Sequence, residues 1–162
     1  IPDYPVQGVN FYDLNSLFAG PKFNDAIYDL VQKTQELFDT PTHIVGIESR
    51  GFVVGSAMAN SFGLPFVMVR KKGAKHPGEL MEQSYTLEYG EATLTLQTGL
   101  LGHTDRCIIV DDLVATGGSV EATERLIEQT GAKALGVSTI MDLYYVRGKD
   151  ISMPMAYLER IQ

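Results

Sequence analysis

Cysteine is almost absent. Cys107 stands alone, so no internal disulfide can form, and a chain of 162 residues must rely on an apolar core. That usage fits a reducing, cytoplasmic setting, with Cys107 as a small core residue. No apolar run reaches the ~20 residues of a membrane span. No signal peptide is visible, although the first residue is Ile1 rather than an initiator Met. Positive charge is scarce: 13 Lys and Arg against 20 Asp and Glu give a net charge of −7, which argues against a nucleic-acid surface. His43 and His103 lack metal-ligand spacing, so no zinc site is expected. Three common motifs are also missing. There is no Gly-Lys-Ser/Thr phosphate loop and no G-x-G-x-x-G fingerprint. Ser49 cannot sit on a G-x-S-x-G elbow, because Ile47 takes the first glycine's place. Repeats and low-complexity segments are absent.

What is present is an alternation of strand and helix patterns. Residues 1–19 read as an irregular arm containing Pro2, Pro5 and a turn at Gly8. Residues 21–38 carry apolar side chains at helical spacing, from Phe23 through Ile27, Leu30 and Val31 to Phe38, and Thr40-Pro41 ends the run. Strands are expected at 43–47 and 64–69 around a small-residue helix at 52–61, with Gly63 as its C-terminal cap. Residues 70–90 are too polar for core, and a structureless connection of that length suggests a mobile flap. Within and beyond it, residues 85–97 alternate around Gly90 as a β-hairpin. Its apolar Tyr85, Leu87 and Leu94 suit either a subunit interface or packing on their own core. A buried strand at 107–110, a helix at 120–129 and a strand at 134–141 follow, and residues 147–162 form a short mixed tail. The expected architecture is α/β, with four or five parallel strands and a hairpin flap.

The chemistry gathers around residues 107–119. An apolar run reads as a parallel strand, Asp111 and Asp112 stand at its expected end, and Ala115-Thr116-Gly117-Gly118-Ser119 leads into a helix. Ligands of such sheets bind beyond the strands' carboxyl ends. A glycine-rich turn at a helix N-terminus presents backbone N–H groups to a phosphate. The acidic pair cannot bind that phosphate and suits ribose hydroxyls or a magnesium shell. Glu48-Ser49-Arg50-Gly51 and Asp142-Leu143 end two other expected strands, so three polar loops should converge on one edge.

The 107–119 stretch resembles the phosphoribosyl-diphosphate (PRPP) loop of type I phosphoribosyltransferases. Gly46-Ile47-Glu48-Ser49-Arg50-Gly51-Phe52, Val69-Arg70-Lys71-Lys72-Gly73, Pro77-Gly78-Glu79 and Ser84-Tyr85-Thr86-Leu87-Glu88-Tyr89-Gly90 precede it in order. With Gly8-Val9, Phe11 and Asp13-Leu14, the set resembles the adenine phosphoribosyltransferase family. The resemblance implies one domain over residues 1–162, with a base-binding arm at 1–19, a flexible flap at about 71–90, and a hood over a mainly parallel sheet. It implies transfer of phosphoribosyl from PRPP to adenine, giving AMP and pyrophosphate, with Mg²⁺ at Asp111 and Asp112, partly through water. Ala115, Thr116, Gly117, Gly118 and Ser119 would cradle the 5′-phosphate. Glu48, Ser49, Arg50, Arg70 and Lys71 would hold pyrophosphate, with Glu48-Ser49 often a cis peptide. Val9, Phe11 and Leu143 would contact adenine. Glu88 would act as acid/base, with Arg70 beside it in the reaction, and a homodimer is implied.

Two departures stand out. Tyr12 replaces the family's more frequent Arg or Lys, and residues 72–78 run one residue longer than usual, so no role carries over to Lys75 or His76. Two other readings remain open at this stage. One is a phosphoribosyltransferase for hypoxanthine, xanthine or guanine. The other is a non-catalytic PRPP sensor, which would need a DNA-binding appendage and a basic face.

Overall fold

Residues 1–4, 7–8, 10–87 and 90–162 are described by a computed structural model. The chain opens with a short turn of helix, α1 (Asn15–Phe18), then the long α2 (Phe23–Leu37). Strand β1 (His43–Ile47), helix α3 (Arg50–Phe62) and strand β2 (Phe66–Lys71) follow. Gly63 closes α3 in the left-handed conformation (φ 66°), as its place after the last apolar turn predicts. The hairpin β3 (Leu80–Thr86) and β4 (Glu91–Gln97) leads to β5 (Arg106–Val114) and α4 (Gly118–Gln129). Strand β6 (Lys133–Leu143), the turn α5 (Tyr144–Arg147) and β7 (Met155–Ile161) complete the chain.

All seven strands form one sheet in the order β3-β4-β2-β1-β5-β6-β7. β2, β1, β5, β6 and β7 are parallel, and the hairpin adds two antiparallel strands beside β2. This is the expected α/β architecture with three corrections. The tail expected to be mixed contains β7, an edge strand paired to β6. The central strand does not stop at Val110: its ladder continues through Asp111 opposite Thr139 and Val114 opposite Asp142. The flap expected from residue 70 has strands at both ends, since β2 runs to Lys71 and β3 starts at Leu80.

A core lies on each face of the sheet. Cys107 and Ile109 of β5 join Val120, Leu126 and Ile127 of α4 and Leu94 and Leu96 of the hairpin. Ile108 and Val110 point the other way, into α2 and α3 against Leu30, Val54 and Met58. Strict alternation on a strand buried on both sides is what fixes β5 at the centre. Each such side chain contributes about 1.5–3 kcal/mol by leaving water. Leu94 (1% exposed) and Tyr85 pack on their own core, whereas Leu87 stays exposed. Cys107 is buried, and burial with the nearby Asp105 charge pushes its thiol up to about 12, so it is inert core. Among the described residues no helix is long and apolar enough to cross a membrane.

Candidate active site

A cleft of about 220 Å³ opens at the carboxyl ends of β1, β2 and β5. Ile47, Glu48, Ser49, Arg50, Lys71, Tyr85, Leu94, Asp111, Asp112, Leu113 and Ser119 line it. The loop after β1 turns sharply into α3. Its Glu48–Ser49 peptide is cis, and no side chain caps α3 at Ser49. Gly51 lets α3 approach β5 closely: a Cβ there would stand 2.9 Å from both Asp111 Oδ1 and the Val110 carbonyl.

The two acids occupy different surroundings. Arg50 Nε lies 3.0 Å from Asp112 Oδ2, so Asp112, though only 3% exposed, has a cation beside it. Asp111 Oδ1 accepts the Asp112 backbone N–H at 2.9 Å. Burial, with the Asp112 carboxylate next to it, pushes the Asp111 carboxyl well above its ordinary range. Burial also raises Asp112, and the Arg50 guanidinium opposes that rise. An acidic pair of this kind, with Asp112 buried and Asp111 half-buried at the cleft, favours an arriving cation or hydroxyl donors.

Among the described residues no group of three or more His, Cys, Asp or Glu could enclose a metal. Two oxygen-donor carboxylates nevertheless fit Mg²⁺, which keeps several waters and takes further ligands from substrate phosphates.

The anions' side of the cleft is equally specific. Gly117 is left-handed (φ 89°) at the N-cap of α4, and no side chain caps that helix. The Gly118 N–H makes a long contact of 3.4 Å with Thr116 Oγ1, and the other first-turn N–H groups remain for an anion. Thr116 is exposed and Gly117 buried, while Ser119 faces the cleft. Opposite them, Glu48 Oε2 accepts the Lys71 N–H at 2.8 Å and lies 3.5 Å from Arg70 Nε. Arg70 Nη1 donates to the Lys75 carbonyl at 3.2 Å. A surface pair between Glu48 and Arg50 does not form; each acid takes a different arginine.

Arg50 also connects the cleft to the N-terminal arm. Its Nη1 approaches the Tyr12 carbonyl at 3.4 Å, and its guanidinium sits 5.3 Å from the Phe11 ring centroid. Phe11 stacks edge-on against Tyr4. Leu143 is buried at the end of β6 and does not line the cleft. Asp142, expected beside it at the site edge, is instead fully buried in ion pairs with Arg147 and Arg160. Val9 and Glu88 lie outside the described residues.

Sequence reasoning assigned no role to two neighbours of the site. Tyr85 reaches from β3 over α4, where a Cβ on Gly118 would stand 2.9 Å from its ring. Burial, then the Asp111 charge, raise its hydroxyl's pKa. Its place in the hairpin alternation was the available signal. Arg147 gave no comparable signal, being one basic residue in a mixed tail.

Comparison with known proteins bears on this arrangement. The phosphoribosyl transferase domain family model matches residues 13–152. An adenine phosphoribosyltransferase of Carboxydothermus hydrogenoformans is 43% identical over 150 residues, covering 92% of this chain and 86% of that relative. The crystal structure of adenine phosphoribosyltransferase from Thermoanaerobacter pseudethanolicus superposes with a TM-score of 0.92 at 32% identity, over 99% of this chain and 94% of the other. The Saccharomyces cerevisiae adenine phosphoribosyltransferase, complexed with D-2,5-dideoxy-2,5-imino-altritol 1,6-bisphosphate and adenine, gives a TM-score of 0.86 at 36% identity, over 98% of this chain and 92% of that one. By the family model over most of its length and by relatives about 40% identical over nearly all of it, the chain belongs to the phosphoribosyl transferase domain family and, within it, to the adenine phosphoribosyltransferases.

Proposed function

We propose that this protein transfers the 5-phosphoribosyl group of PRPP to N9 of adenine, releasing pyrophosphate and forming AMP. The observation that carries the reading is the pairing of Asp111 and Asp112 with the uncapped start of α4 around one cleft. A sugar phosphate needs both: acceptors for its hydroxyls and N–H donors for its 5′-phosphate. Residues 1–162 act as one catalytic unit, with the arm at 1–19 on the base side and residues 71–90 as the flap.

Breaking the bond from ribose C1 to pyrophosphate builds positive charge on the sugar and negative charge on the leaving group. Asp111 and Asp112 hold the ribose hydroxyls and stand near the developing sugar cation. Ala115 to Ser119 bind the 5′-phosphate. Arg50, Arg70 and Lys71, with the turn at Glu48-Ser49, hold pyrophosphate where its charge develops. Arg50 is released from Asp112 as the substrate's anions arrive. Asp111 and Asp112 would hold Mg²⁺, which would supply Lewis-acid stabilisation of the pyrophosphate. Phe11, with Val9, contacts adenine, whereas Leu143, buried outside the cleft lining, keeps no such role. Glu88 exchanges a proton with the purine imidazole, a role worth about 10²–10⁴-fold in rate. The hairpin excludes water that would compete with adenine. The working protein is a cytoplasmic homodimer.

The test is pyrophosphate release from PRPP and Mg²⁺ with adenine, hypoxanthine, guanine or xanthine, using the wild type and Glu88→Ala. Turnover with adenine alone, cut at least about a hundredfold in the variant, is expected. Turnover with another base would overturn the adenine assignment. Binding of PRPP without turnover would make the protein a sensor.

A further inference from the structure

Behind the glycine-rich loop, on the side away from the cleft, lies a buried ionic cluster that none of the roles above uses. Asp142, fully buried at the end of β6, is clasped by two arginines: Arg147 Nη1 at 2.7 Å from Oδ1 and Arg160 Nε at 2.6 Å from Oδ2. Asp150, on the exposed rim, pairs with Arg160. The Arg147 side chain is only 3% exposed. A guanidinium so deep is expensive to desolvate and persists only where its partners are well placed.

One of those partners belongs to the loop. Arg147 Nη1 donates to the Ala115 carbonyl at 3.1 Å. A turn whose N–H groups are to face an anion must direct its carbonyls elsewhere. An unheld Ala115 carbonyl could rotate towards the phosphate and repel it. The same C-terminal segment braces the next turn: a Cβ on Gly117 would stand 2.9 Å from Ile151 Cγ2. Arg147 also retains two buried N–H groups, Nε and Nη2, without a hydrogen-bond partner among the described residues. The cluster as a whole is balanced, two arginines against two aspartates, so what the loop receives from Arg147 is a held carbonyl.

We infer that Arg147 is a positioning residue for the 5′-phosphate: by fixing the Ala115 carbonyl away from the anion, it sets affinity for the phosphoribosyl half of PRPP but not for the pyrophosphate half. This rests on the assignment of residues 115–119 to the 5′-phosphate. Asp142 and Arg160 hold Arg147 in place and do not touch the loop.

The test separates the two halves of the substrate. Ribose 5-phosphate and pyrophosphate are titrated separately, with Mg²⁺, into the wild type, Arg147→Gln and Arg147→Lys, alongside kcat and the KM values for PRPP and adenine. Arg147→Gln should weaken ribose 5-phosphate at least tenfold while pyrophosphate stays within twofold, and KM for PRPP should rise with that for adenine little changed. Arg147→Lys, which keeps one donor and the charge, should recover part of the loss. It also carries the test should the glutamine variant not fold. Equal weakening of both ligands would mean a merely structural role and overturn the inference, as would no weakening of either. A wild type that binds pyrophosphate but not ribose 5-phosphate would overturn the loop assignment itself, and the inference with it.

Discussion

At Asp111, binding and folding make opposite demands. Its carboxyl is held well above the ordinary range by burial and by the Asp112 carboxylate, with the Asp112 N–H and Arg50 only partly offsetting this. An acid whose pKa rises on folding binds its proton more tightly folded than unfolded. Stability is therefore greatest below the unfolded carboxylate value of about 3.9, and it is lost as pH rises through the raised folded value. At neutral pH the ligand-free protein carries that loss. Asp111→Asn keeps the oxygen that accepts the Asp112 N–H and removes the charge. Melting at pH 7 should rise by about 2–4 °C, the shift made by roughly 1 kcal/mol in a domain of this size, and the gain should vanish near pH 4. PRPP turnover should fall at least about tenfold, as expected for losing a charged hydrogen-bonding group. A variant less stable than the parent at pH 7 would mean that the folded protein already neutralises this carboxylate.

The elements differ in how openly the sequence announces them. Helix α2 was legible because Ile27, Leu30, Val31 and Thr34 form one buried stripe on an otherwise polar segment. The acidic pair and glycine-rich turn were legible because few other chemistries need two carboxylates next to Thr-Gly-Gly-Ser. The last four residues of β5 were not, since charged side chains read as loop while the backbone ladder with β6 is indifferent to them. β7 was hidden because an edge strand with Ala156 as its only fully buried residue shows no clean alternation. Arg147 was hidden for a related reason: its importance lies in a contact across 32 residues of sequence, which no local pattern encodes. The hairpin's turn was readable at Gly90, but not its docking. It joins β2 through β4 and touches α4 through Tyr85 over Gly118 and Gln83 on Gln129. Those contacts should make β3 a fixed wall, leaving closure to the connections around it. Gly118→Ala tests this, because the new methyl must push Tyr85 while the backbone itself, not left-handed there, accepts alanine. Overpacking of this kind costs about 1–3 kcal/mol. Amides of Leu80–Thr86 should therefore exchange with deuterium at least about fivefold faster, with α2 unchanged. Uniform acceleration across the chain would indicate global destabilisation instead.

On the scale of the whole molecule, β5 is both the site's floor and the centre of the fold. Its side chains enter the core on each face of the sheet, and its acids face the cleft. Whatever binds Asp111 and Asp112 is thus coupled to the unfolding of the entire sheet, not to a detachable loop. Ligand binding to the folded state alone adds about 2.7 kcal/mol at a hundred times Kd, or roughly 5–11 °C in melting for a domain of this size. Mg²⁺ alone should give only a small part of this, because two carboxylates do not enclose it and it must complete its shell with water. PRPP alone brings its phosphates to a chain whose net charge is −7, with the local cations Arg50, Arg70 and Lys71 to meet them. On the proposed reading, metal and PRPP together would answer the acidic pair and the loops assigned to the anions at once. The melting shift with both should exceed the sum of the separate shifts. A full shift with Mg²⁺ alone would reveal a metal cage that the carboxylates of the cleft do not explain, and a purely additive response would mean that metal and sugar phosphate bind independently.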